Sequence, residues 1–266
     1  MPTSFSSSQK NDKLLFYFIL AWLLINILQA CFVGLDGDET YYWTYSRHLQ
    51  WGYFDHPPMV ALSIKLGELF GHGYLYTRLG ALLFSAATIY FGFKALPDRL
   101  QNPRWYILVF ASILIFHIYS FITTPDAPLL FFTALFFYAY KLYLKEDRFT
   151  NIIFLTASII GLMYSKYHGV LPIVFTFLSN PKLILKRSAW MAVILAVLAF
   201  IPHLLWQYAH DWPTVRYHLF ERSQGSYKIE KTTNYILGQL LIFGPFTTVV
   251  AIIFFLRKKI KTDVYF

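Results

Sequence analysis

The sequence predicts an all-α, multi-pass membrane protein of about eight spans, and three observations carry that expectation. Of its 266 residues, 57% are hydrophobic and only 14% are charged, whereas a soluble domain carries about 25% charged residues. The mean hydropathy is +0.47. Apolar stretches near the ~20 residues that a helix needs to cross hydrocarbon recur along the chain. This apolar content excludes disorder. With Cys31 as the single cysteine, an internal disulfide and a cysteine-rich zinc ribbon are excluded as well.

The elements follow in chain order. Leu14–Val33 is the first span, behind a short tail of residues 1–13 that holds Lys10 and Lys13. It is too long for a signal-peptide core and lacks a small-x-small cleavage pattern before Asp36, so it reads as a retained anchor. The further spans expected are Tyr74–Phe93, Trp105–Ile122, Ala127–Leu144, Asn151–Ser165, Tyr167–Ser179, Ala189–Tyr208 and Asn234–Leu256. Residues 14–266 thus form one transmembrane domain, with two long loops at 34–73 and 209–233.

Charge sets the orientation, because Lys and Arg accumulate on the cytoplasmic side of membrane proteins. With the amino terminus inside, fifteen of the 23 basic residues and five of the 14 acids fall inside. The other eight basic and nine acidic residues fall outside. The net charge of +9 is therefore an orientation signal and requires no nucleic-acid partner. The same count keeps the two short spans at 151–165 and 167–179 separate, since fusing them would move Lys182, Lys186 and Arg187 outside.

The first outer loop concentrates polar chemistry. Asp36-Gly37-Asp38-Glu39 leaves the first span and runs into Thr40-Tyr41-Tyr42-Trp43. An acid at a helix start is stabilised by capping and by the helix dipole. Tyr42, Tyr45 and Leu49 share a helical face, so residues 39–50 are expected as a helix lying in the interface, where Tyr and Trp concentrate. Tyr53-Phe54-Asp55-His56-Pro57-Pro58 then forms a stiff turn, since proline fixes the approach and suits a helix start. A second interfacial helix is expected after it, with Met59, Leu62, Leu66, Leu69 and Phe70 on one face and Lys65 and Glu68 on the other.

The Asp-Glu pair after the first span, the aromatic helix and the Tyr-Phe-Asp-His-Pro-Pro turn resemble the polyprenyl-phosphate-sugar-dependent glycosyltransferases of the GT-C fold. The similarity is to bacterial members like the protein O-mannosyltransferases and the lipid A aminoarabinose transferase (glycosyltransferase families 39 and 83). It covers the amino-terminal portion of such an enzyme, whose fold continues with further spans and an outer domain. The resemblance implies catalysis by Asp38, with Glu39 beside it. It implies donor or phosphate binding by Arg78, by Asp126 of Thr124-Pro125-Asp126-Ala127-Pro128, by Lys166, by His203 and by Arg222. Asp55 and His56 stand where relatives carry a Glu-Lys pair and would support the first loop. A divalent metal is implied only weakly, with Asp55 and His203 as its candidate ligands.

Each residue also has an ordinary structural reading. Asp126 can be a helix start. Arg78 and Lys166 can snorkel. His203 can be a satisfied core histidine. On the functional reading, a carboxylate deprotonates an acceptor hydroxyl on a lipid, glycan or protein while cations hold the departing lipid phosphate. All these residues fall on the non-cytoplasmic side, the periplasmic or exterior face of a bacterial inner membrane. The alternatives are a non-catalytic lipid-binding remnant and a secondary transporter, which would place its charges near the midplane and show repeat symmetry.

Overall fold

The computed structural model describes residues 4–221 and 227–257. Helices dominate, and there is no strand among the described residues. The first helix, α1 (Ser4–Phe32), leads into α2 (Gly37–Arg47) and α3 (Met59–Gly67), which lie together in the first loop. Then come α4 (Tyr74–Ala95), α5 (Pro103–Ser112), α6 (Leu114–Tyr119), α7 (Asp126–Lys145) and α8 (Phe149–Ser165). After a one-turn 3-10 segment, α9 (Val170–Ser179) precedes the long α10 (Arg187–Ala209). The short α11 (Pro213–Arg216), α12 (Ile229–Phe243) and α13 (Pro245–Arg257) complete the described chain.

The bundle is a row of neighbours. α1 packs on α4, α4 on α7, α7 on α8, and α8 on α10, while α3 lies against α4. Phe136, Ala139 and Tyr143 of α7 meet Ile159 and Leu162 of α8 and Ala192 and Ala196 of α10 in the largest buried cluster. The alanines let α10 come close. α3 and α4 approach still more tightly. A Cβ on Gly67 would stand 2.2 Å from the Tyr76 carbonyl oxygen, so only glycine fits there.

Among the described residues, three helices are long and apolar enough to cross a membrane: Asp12–Phe32, α7 and α10. The pair Ile229–Phe243 and Pro245–Ile253 is bent by 93° and passes the same test only when taken together. The molecule is thus a membrane helix bundle, and among the described residues three of the eight expected spans pass this test as single helices. α4 covers the residues of its expected span, about 33 Å at 1.5 Å per residue, but with Arg78 and Lys94 in it this helix is not among the three. α8 and α9 are shorter apolar helices, separated at Lys166 as the charge count required.

Two expected spans are corrected. Trp105–Ile122 is not one helix: it breaks at Ile113, whose backbone is extended, into α5 and α6. Asn234–Leu256 breaks at Gly244, which takes φ +78° and is followed by Pro245. A left-handed glycine ends a helix readily, and a proline cannot continue one. The first-loop helix also ends earlier than expected, at Arg47, so Leu49 lies beyond it. Its buried face carries Glu39, Tyr42 and Ser46.

Candidate active site

The carboxyl ends of α1, α8 and α10 and the amino ends of α2, α4 and α7 gather at one end of the bundle. A cleft of about 1060 Å³ opens there. Its polar lining includes Asp36, Asp38, Tyr42, His56, Thr124, Asp126, Lys166, Tyr167, His168 and His218. Its apolar lining comes from Ile118, Ile122, Val170, Leu171, Val215 and Leu219. Lys94, Lys141 and Lys145 cluster instead around the carboxyl ends of α4 and α7, where Lys141 and Lys145 pair with Asp98.

Asp38 and Glu39 are adjacent in sequence but occupy different environments. Glu39 is fully buried. Its Oε1 accepts from Arg78 Nε at 2.8 Å and from the Thr123 amide at 2.9 Å. Its Oε2 accepts from Arg78 Nη2 at 2.5 Å and from the Asp36 amide at 3.0 Å. Four bonds fill the acceptor capacity of a carboxylate. Asp38, one residue earlier, is turned about 100° away around the helix. It is exposed, lines the cleft, and takes no hydrogen bond or ion pair among the described residues. It stands in the first turn of α2, where unpaired backbone amides and the helix dipole favour an anion.

Arg78 is as fully used as Glu39. Besides the carboxylate, its Nη1 donates to the carbonyls of Ala30 and Val33 at 3.3 and 2.6 Å, and its Nη2 to Gly34 at 2.8 Å. All five guanidinium N–H groups are engaged. The three carbonyls belong to the last turn of α1 and the residues after it, which have no helical partner of their own. Arg78 therefore caps α1 while Glu39 opens α2, and the cleft does not reach either.

Lys166 and Asp126 do line the cleft. Lys166 Nζ lies 2.8 and 2.9 Å from the two Asp126 oxygens, and the side chains stay 21% and 25% exposed. An ammonium has three donors, so at least one N–H of Lys166 remains available to a ligand.

Asp55 sits behind His56. Its Oδ1 accepts from the Tyr45 hydroxyl at 2.8 Å and from Tyr41, and its Oδ2 lies 3.7 Å from His56 Nε2. Burial of Tyr45, reinforced by Tyr41 and Asp55, raises that phenol's pKa and keeps it a donor. Desolvation lowers the His56 pKa from 6.5 to about 4, against the opposing pull of Asp55, so the ring is neutral at pH 7.

His203 is fully buried and lies outside the cleft lining. Its Nδ1 meets the Trp51 carbonyl at 2.7 Å and its Nε2 the Tyr167 hydroxyl at 2.8 Å. A carbonyl only accepts, so Nδ1 carries the proton, and Tyr167 donates to Nε2 while accepting from Gln207 Nε2 at 2.9 Å. Gln207 also donates to Thr214, which donates to the Tyr53 carbonyl. This chain ties α10 to the first loop and holds Tyr167 at the cleft wall. With both ring nitrogens committed, His203 does not fit a metal ligand. No group of three or more His, Cys, Asp or Glu side chains that could hold a metal occurs among the described residues. Arg222 lies outside the described residues.

The structure also brings in Tyr42, Thr124, Tyr167 and His218, which were not assigned from sequence. Tyr167 adjoins Lys166, which was a usable signal. His218 had none. It reaches the site because Asp211 and Trp212 take left-handed backbone conformations, φ 60° and 56°, and turn the chain back over the cleft. Such residues cost about 1–3 kcal/mol each and persist where the surroundings hold them.

Residues 55–206, more than half of the chain, match the family profile described as dolichyl-phosphate-mannose-protein mannosyltransferase. The chain belongs to this family. It is also 28% identical over 242 residues to the lipid A galacturonosyltransferase RgtD of Rhizobium johnstonii, a match covering 85% of this chain. The chain spans about half the length of that curated relative, 50% by coverage. No solved structure matches. Both the family description and the relative's name are those of glycosyltransferases, and each matches this chain in its helical membrane portion. The matched segment contains Asp55, His56, Arg78, Asp126, Lys166 and His203, but not Asp38 or Glu39.

Proposed function

We infer that the chain transfers a sugar from a polyprenyl-phosphate donor to a hydroxyl of a lipid, glycan or protein acceptor, with Asp38 as general base. The reaction takes place at the non-cytoplasmic face. The observation that carries this reading is the pairing of one unengaged carboxylate, Asp38, with a partly exposed ammonium, Lys166, across a single cleft. Asp38 accepts the proton of the acceptor hydroxyl as its oxygen attacks the anomeric carbon. The bond to the phosphate oxygen breaks, and the configuration inverts. Lys166 stabilises the departing lipid phosphate, and Asp126 holds Lys166 in place. The apolar wall of Ile118, Ile122, Val170 and Leu171 takes the first isoprene units. Glu39 and Arg78 act as positioning residues, since neither has a free bonding site, and His203 positions Tyr167. The basic cluster at the opposite end supports the assignment of sides.

The test uses the purified protein in lipid nanodiscs. It is given polyprenyl phosphates carrying radiolabelled sugars, beginning with galacturonic acid in view of the relative, and lipid A as first acceptor. Asp38→Asn is expected to reduce transfer by about 10²–10⁴-fold, the usual contribution of a general base, with an unchanged unfolding temperature. Turnover by Asp38→Asn at the parental rate rejects the assignment.

A further inference from the structure

Two buried polar atoms at the cleft have no partner. His56 Nδ1 and Thr124 Oγ1 are both enclosed, neither makes a hydrogen bond among the described residues, and both residues line the same cavity. Thr124 is only 7% exposed, and the His56 side chain only 12%. Buried polar atoms in native proteins nearly always have partners, and an orphan calls for a cause. The two atoms are themselves shielded from solvent, yet both residues belong to the wall of a ligand-sized cleft.

The chemistry of each atom narrows its partner. The Asp55 carboxylate faces His56 Nε2 and favours the proton on that nitrogen, which leaves Nδ1 with a bare lone pair. Tyr45 and Tyr41 hold Asp55 from behind, which fixes the carboxylate with its Oδ2 3.7 Å from the ring nitrogen. A bare nitrogen accepts a hydrogen bond and cannot donate one. It suits an O–H group and not a phosphate oxygen. The threonine hydroxyl can donate or accept.

We propose that His56 Nδ1 and Thr124 Oγ1 form a hydroxyl-recognition pair that orients the sugar in the cleft, with His56 as acceptor. This rests on the reading of the cleft as the transfer site and adds residues that select the sugar. The desolvated ring, facing Asp55, Asp126, Lys166 and His218, stays neutral and keeps its lone pair at working pH.

The test combines kinetics with unfolding on the full chain in nanodiscs. The variants are His56→Leu, His56→Asn and Thr124→Val. Asparagine places an acceptor oxygen near the Nδ1 position. His56→Leu and Thr124→Val are each expected to lower kcat/KM about tenfold, the effect of one lost hydrogen bond. His56→Asn is expected to retain activity within about threefold of the parent. In the free protein these atoms bond to nothing, so Thr124→Val is expected to leave Tm unchanged or to raise it. A merely structural role for Thr124 gives the opposite result, a fall in Tm. Parental kcat/KM in His56→Leu overturns the proposal, and so does a lowered Tm in Thr124→Val. If the parent transfers no sugar from any donor offered, the functional reading fails by itself. The Tm of Thr124→Val then still decides whether its hydroxyl is a structural partner or an open ligand contact.

Discussion

Two ion pairs at the same end of the bundle show how one chemistry serves two purposes. Glu39–Arg78 is buried to within 1% of complete exclusion, and every donor and acceptor is used inside the protein. Asp126–Lys166 has similar contact distances but leaves about a fifth to a quarter of each side chain exposed, along the cleft. The first pair cannot answer a ligand without breaking the joint between α1, α2, α4 and the Thr123 turn. The second can share a donor with a ligand at little structural cost. The difference lies in the surroundings and not in the residues. Three orphan carbonyls and two backbone amides converge on the first pair, and nothing comparable reaches the second.

The largest expected effect is structural. Arg78→Met leaves Glu39 buried without its counter-charge and is expected to cost about 3–5 kcal/mol, as broken buried pairs do. Thermal unfolding and size-exclusion chromatography of the purified variant measure it. A variant as stable as the parent shows that the two pairs do not differ as described. Lys166→Ala is expected to invert the pattern. Transfer falls about 10²-fold, as when one charge stabiliser of a transition state is removed, and Tm changes little. Loss of folding in this variant places both pairs in the same structural class.

A smaller effect is expected in the pH dependence. His56 has a folded pKa depressed from 6.5 to about 4, chiefly by burial. The unfolded chain therefore binds this proton first as pH falls. Stability is full above about 6.5 and declines between 6.5 and about 4. The groups facing the ring are Asp55, Asp126, Lys166 and His218. Tm measured across this range is expected to fall less in His56→Asn. Equal slopes in parent and variant assign the decline to other groups.

The smallest effect belongs to the exposed counterpart of both pairs. At the opposite end, hydrogen bonds from Lys141 and Lys145 hold the Asp98 carboxyl below its usual pKa. A depressed carboxyl stabilises above its ordinary pKa and loses that contribution as acid is added. On an open surface, however, such pairs contribute little. Asp98→Asn is expected to leave Tm unchanged within error, and a shift as large as that of Arg78→Met breaks the ranking by burial.

The legibility of the site varied with the reach of each signal. Asp38, Asp126 and Lys166 were implied by the resemblance, and the structure brings them to one cleft. Glu39 and Arg78 were implied in the same way. Nothing in their order shows that they meet 39 positions apart and saturate each other. His203 read as a ligand or as a core histidine, and only the positions of Trp51 and Tyr167 choose between them. His218 gave no signal, since its place depends on the left-handed backbone at Asp211 and Trp212, and Pro213 marks a helix start there without fixing that conformation.

The sequence by itself determined the helical membrane class, the crowding of chemistry in the first loop, and the separation of α8 from α9. Apolar content, charge bias and proline position are local quantities, and they act wherever the chain lies. The tertiary structure alone decided which of two neighbouring acids is free. Successive residues on a helix point about 100° apart, and whatever packs against each direction fixes its bonds. Facing Arg78 and two amides, Glu39 became part of the frame. Facing open space, Asp38 kept a carboxylate that can take a proton.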